Sequence, residues 1–74
     1  MAAIVLRVRL TSGDHVDVRY EEPDTAREDE VIEHAISVLA ETAGDLRCRH
    51  GDRLMVLFAR GVVAVEVAPR GAVL

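Results

Sequence analysis

The chain has 74 residues, half of them apolar, with nine basic side chains against 13 acidic ones and a formal charge of −4. That length makes a single domain over residues 1–74, which hides only roughly 60% of the surface it would expose unfolded, and the apolar share excludes a disordered chain. The acid excess with one Phe and one Tyr argues against a nucleic-acid partner, the lone Cys excludes an internal disulfide, and no run approaches the ~20 apolar residues that span a bilayer.

In chain order, the first segment is AIVLRVRL (3–10). Ile4, Leu6, Val8 and Leu10 alternate with Val5, Arg7 and Arg9, the period of a strand with one wet face. The start is too short an apolar run, broken by Arg7 and Arg9, to be a secretory signal. With the unpaired Cys this gives the expectation of a cytosolic protein. Thr11-Ser12-Gly13-Asp14 is turn chemistry. His15 to Tyr20 alternates again, with Val16, Val18 and Tyr20 against His15, Asp17 and Arg19, so the first third reads as a hairpin. Pro23 ends the strand. Thr25 with Glu28 fits a capping box, and acids in the first turn suit the positive end of a helix. The spacing predicts a helix to Ala43, stopped by Gly44, with a stripe of Val31, Ile32, Ala35, Ile36, Val38, Leu39 and Ala43. GDLRCRHG then reads as a loop. DRLMVLFARGVVAVEV (52–67) reads as a second hairpin turning at Arg60-Gly61. In that register Leu54, Val56, Phe58, Val63, Val65 and Val67 face the core. Met55, Leu57, Ala59, Val62 and Ala64, with Glu66, face away. After Pro69 the tail is expected to be flexible.

Hairpin, helix, hairpin gives one helix stripe and one sheet face to receive it. The economical solution is an α+β domain of ββαββ type, a four-stranded mixed sheet of order 2-1-4-3 with the helix on one face. LTSGDHVDVRYEEPDTAREDEVIEHAI resembles the opening half of ubiquitin-like β-grasp proteins, and DRLMVLFARG resembles the strand and turn after their helix. The resemblance implies that fold and a habit of binding through the open sheet face. It also implies, as an alternative, a modifier or sulfur carrier. The chain ends in PRGAVL with no Gly-Gly, so that alternative requires processing to Gly71.

The open face of such a sheet has a charged half, where Glu66 could pair with Arg7 or Arg9. Its other half would be apolar: Met55, Leu57, Ala59, Val62 and Ala64, with Val5 nearby. A contiguous apolar patch beside the unguarded edge strand 53–59 points to protein–protein contact, with a second copy or with a different protein. No catalytic group is expected. Cys48-Arg49-His50 with Asp45 and Asp52 would sketch a thiol, a base and an acid, giving a second alternative of redox or enzymatic activity at Cys48. C-x-H is not a zinc spacing, and His15 and His34 lie far off in sequence, so neither metal nor cofactor is expected. His34, four residues after Glu30, reads as a surface pair. Arg47, Arg49, His50 and Arg53 make a small basic segment opposite the acids of 21–33, a polarity able to orient a partner.

Overall fold

The computed structural model describes residues 2–22 and 27–68. The elements are β1 (Ala2–Leu10), β2 (His15–Glu22), α1 (Glu28–Ala40), β3 (Asp45–His50), β4 (Arg53–Phe58), a single 3-10 turn (Ala59–Gly61) and β5 (Val62–Val67). The five strands form one sheet in the order β4-β3-β2-β1-β5, and every neighbouring pair is antiparallel. This corrects the expectation of a four-stranded mixed sheet of β-grasp order 2-1-4-3. The fold implied by the ubiquitin-like resemblance is not the fold found.

The difference originates in one segment. Asp45–His50 is a strand, not a loop: Leu46 and Cys48 are buried while Asp45, Arg47 and Arg49 face out. Its hairpin to β4 pairs His50 with Arg53 across Gly51-Asp52, and Gly51 has φ +63° at the first central position, as a type II′ turn requires. With β3 in place, β4 takes its register from β3 and not from β5. The 3-10 turn does not fold β5 back on β4; it carries the chain to the far edge, beside β1.

That crossing constrains the sheet. Four residue steps from Phe58 to Val62 reach at most ~14 Å, whereas four gaps between strands in a flat sheet span ~19 Å. The sheet must therefore coil until its two edges approach each other at this end. Two backbone bonds tie the crossing down: Ala59 N–H to the Gly44 carbonyl (2.9 Å) and Thr11 N–H to the Gly61 carbonyl (3.0 Å).

The concave side holds the core. Ile4, Leu6, Val8, Val18 and Tyr20 of the first hairpin meet Leu46, Cys48 and Leu57 of the second, and Val31 and Ala35 of α1 close over them. Leu10, Val16, Val65, Ile32, Val38 and Leu39 pack half-buried around this centre. Leu54, Val56, Phe58, Val63 and Val67, expected in the core, are exposed, as is Ile36 of the helix stripe. On β4 the reason is parity. Both sets of alternate residues are apolar, so the side-chain pattern cannot choose a face, and the cross-strand pair Leu46–Leu57 chooses it.

The helix is shorter than expected. Its N-cap is Arg27, with no side-chain cap bond; Thr25 lies outside the described residues. Its chain end is closed by Glu41 N–H to the Val38 carbonyl and Gly44 N–H to the Glu41 carbonyl. Gly44 is needed for space: a Cβ there would overlap the Val38 carbonyl. Pro69, Gly71 and the rest of the expected tail, 69–74, lie outside the described residues.

Candidate functional site: the convex face and the β4 edge

The convex face turns away from the helix. Its centre is charged and internally paired. Arg7 stands opposite Asp17 and grips it with two bonds, Nε to Oδ1 (2.9 Å) and Nη2 to Oδ2 (3.2 Å). This guanidinium holds the Asp17 carboxyl below its ordinary range, and Asp17 raises Arg7 in turn. Arg9 Nε donates to Glu66 Oε1 at 2.8 Å. Arg19 lies 3.4 Å from Glu21. Such exposed pairs contribute little each; their effect is to make this half of the face a solvated surface.

The β4 end is different. Leu54, Val56 and Phe58 all project from the convex side, and Leu54 and Phe58 remain 62% and 53% exposed. Their cross-strand neighbours on β3 are Arg49, Arg47 and Asp45. Arg19 of β2 stands directly opposite Arg49, a like-charge pairing that costs stability unless an anion or solvent intervenes. The Arg60 guanidinium lies 5.4 Å from the centre of the Phe58 ring, a cation–π contact that covers one side of the ring. The result is an apolar row on the outermost strand with arginines along its inner flank.

The backbone of β4 adds a second feature. Ladder bonds in an antiparallel pair alternate, so one bonded pair sets the phase for the strand. Ala59 N–H bonds the Gly44 carbonyl, in the same register as Leu57–Leu46, Met55–Cys48 and Arg53–His50. Those residues spend their amides on β3. The N–H and C=O of Leu54, Val56 and Phe58 therefore point away from β3, and no strand lies beyond β4 among the described residues.

The structure does not bring together the residues expected to form the patch. Leu57 and Ala59 are buried and Met55 is half-buried, all on the helix side. Val62 pairs with Leu10, also on the inner side, while Val5 and Ala64 sit on the convex face of β1 and β5, across the sheet from β4. Of the charged residues expected at the interface, Arg9 and Glu66 pair as anticipated and Arg7 takes Asp17 instead. The patch expected on Met55, Leu57 and Ala59 is thus replaced by Leu54, Val56 and Phe58 on the same strand. A sequence signal existed: a strand apolar on both sides always has a face left over.

The chemical candidates are held apart. Cys48 is buried against Met55, its Sγ 3.4 Å from the Met55 carbonyl oxygen, and burial pushes its thiol up to about 11. A thiol so placed is a poor thiolate donor. His50 is occupied by the Asp17 carbonyl at 2.8 Å. No group of His, Cys, Asp and Glu able to hold a metal ion occurs among the described residues, and no helix there is long and apolar enough to cross a membrane. His34 bonds both Glu22 and the Tyr20 hydroxyl, and Tyr20 donates to Glu22 at 2.8 Å. This cluster ties α1 to β2, and burial with the Glu22 charge pushes Tyr20 up to about 12.

Comparison with known protein families, curated proteins and solved structures finds no match to this chain.

Proposed function

We propose that the protein is a small non-enzymatic interaction module, an adaptor or a subunit of a larger assembly, that docks a polypeptide on the β4 edge and the adjoining convex face. The observation that carries this reading is one strand on which two needs coincide: an exposed apolar row, Leu54, Val56 and Phe58, whose own amides point outward. Proteins usually guard such edges with Lys, Pro, bulges or inward-pointing charge. β4 has no charge between Arg53 and Arg60 and no Pro. Full burial of one such side chain stabilises by ~1.5–3 kcal/mol. With these residues already part-covered, their further burial would give ~2–4 kcal/mol before association costs. Backbone bonds from an added strand would supply affinity and the alternating side chains specificity.

The test is affinity capture from native cell extract with wild type, Val56→Lys and, as a control on the other half of the face, Ala64→Lys. Wild type and Ala64→Lys should retain the same polypeptide, and Val56→Lys should lose it. Equal capture by all three would move the docking surface elsewhere.

A further inference from the structure

The β4 edge carries a two-fold symmetry of its own. Counting outward from Val56, Met55 matches Leu57, Leu54 matches Phe58 and Arg53 matches Ala59. If two copies of β4 lie antiparallel about Val56, every residue from Leu54 to Phe58 meets an apolar residue, and the basic Arg53 meets Ala59, so no like charges stand opposite. The flanks then complete the match. Asp52 precedes the strand and Arg60 follows it, so antiparallel pairing brings Asp52 of each copy beside Arg60 of the other. Arg60 already lies along the convex side at the strand's end, over Phe58. A register shift of two residues either way undoes this. One direction sets Arg60 against Leu54, the other sets Asp52 against Phe58.

The backbone phase agrees with the same register. Leu54 and Val56 direct their N–H and C=O groups outward and Phe58 its N–H, its carbonyl opening the 3-10 turn as the N-cap; in this pairing they face Phe58, Val56 and Leu54 of the second copy. The Val56 pair exchanges two hydrogen bonds, and each Phe58 N–H meets a Leu54 carbonyl. The opposite edge offers no such fit: Glu66 interrupts β5 on the convex face and is bound to Arg9.

Resting on the interaction reading above, we propose that the occupant of the β4 edge is a second copy of this chain. The two copies pair β4 to β4 antiparallel about Val56, continuing both sheets into one and closing each Asp52 on the other's Arg60. The contact is isologous, so it stops at two copies, and it is small, so the dimer is expected at micromolar affinity or weaker.

The test combines solution mass with amide exchange across about 1 μM to 1 mM, the span over which a contact of this strength titrates. Mass should rise from one chain to two and go no further. Amides of Val56 and Phe58 should exchange freely when dilute and become protected as mass rises, while those of Met55 and Leu57 stay protected throughout. Val56→Lys places two ammonium groups against each other at the dyad and should weaken self-association on the order of 100-fold. Asp52→Arg alone and Arg60→Asp alone should each weaken it on the order of tenfold, and the double exchange should restore it. Both flank residues are exposed, so these variants remain informative if Val56→Lys fails to fold. A chain monomeric throughout, mass growing past two copies, or a dimer whose Val56 and Phe58 amides still exchange freely would each overturn the proposal. If self-association is absent while Val56→Lys still abolishes capture of another polypeptide, the pairing falls and the interaction module stands; if both are absent, both fall.

Discussion

Replacing Leu57 and Leu54 by Ala, one at a time, tests the parity of β4 on which the site depends. The two residues are three apart on one strand and identical in chemistry, so propensity and unfolded-state effects cancel in the comparison. Leu57 is 6% exposed and stands opposite Leu46 in the core; Leu54 is 62% exposed and stands opposite Arg49. Removing a buried leucine side chain costs ~2–5 kcal/mol, transfer plus cavity. At the exposed site little burial is lost, and the cost should stay under ~1 kcal/mol. A domain of this size has ~4–11 kcal/mol in all, at 0.05–0.15 kcal/mol per residue, so Leu57→Ala consumes a large part of it. At ~4–8 °C per kcal/mol for small domains, its Tm should fall by ~8–40 °C, against no more than ~8 °C for Leu54→Ala. Thermal unfolding by circular dichroism at a fixed low concentration, where self-association does not contribute, reads the difference directly. Equal losses, or a larger loss at Leu54, would mean that the strand presents its other side to the helix, and the convex apolar row would not exist.

Three further outcomes follow from the same geometry. The single tyrosine should ionise near pH 12 instead of 10 when followed by tyrosinate absorbance. Because its folded pKa lies above the unfolded value, the stability it contributes is complete below pH 10 and is lost as pH rises toward 12. At the acid end, Glu22 is held below its ordinary value by bonds from His34 and Tyr20, and Asp17 is held low by Arg7. Depressed carboxyls contribute stability above their unfolded pKa and lose it as pH falls through the folded one, so Tm should drop below about pH 4.5, and less steeply in Glu22→Gln. Gly44→Ala should destabilise by ~2 kcal/mol or more, measured by urea unfolding, because the added methyl meets the Val38 carbonyl and the chain between α1 and β3 must move.

The first hairpin was legible because each strand alternates cleanly. Ile4, Leu6 and Val8 against Arg7 and Arg9 leaves one choice of face, and Gly13 with φ +94° marks the turn. The helix was legible for its stripe, but it ends at Ala40 with Glu41 as its cap and not at Gly44; Gly44 serves close approach to the Val38 carbonyl and not a left-handed stop. β3 was not legible as a strand because its inward residues are only Leu46 and Cys48, set among Asp45, Arg47, Arg49 and His50. Six residues with two apolar ones resemble a basic loop unless the II′ turn at Gly51-Asp52 is recognised. Without that strand, Arg60-Gly61 reads as a hairpin turn, and the facing of every residue from 53 to 67 follows from it. Tyr20, Glu22 and His34 come together across 14 residues of sequence, and no local spacing signals that meeting.

The edge strand was recognisable in spite of this because the property that exposes β4 does not depend on register. A strand apolar on both sides buries one set of side chains under the only helix among the described residues and leaves the other set outside, whichever set that is. Placing β4 in the sheet interior would have paired both of its backbone rows, though one face would still lie away from the helix. The strand order instead sets β4 at one rim and β5 at the other, with β3, β2 and β1 between them, and the coil of the sheet lets four residue steps from Phe58 bridge the two rims. The strand order thus fixes the edge, the edge leaves outward amides on Leu54, Val56 and Phe58, and their side chains are on the side away from Leu46 and Cys48. Guarding charges are present on the same face, at Arg7, Asp17, Arg9 and Glu66, but they neutralise one another toward β1 and β5.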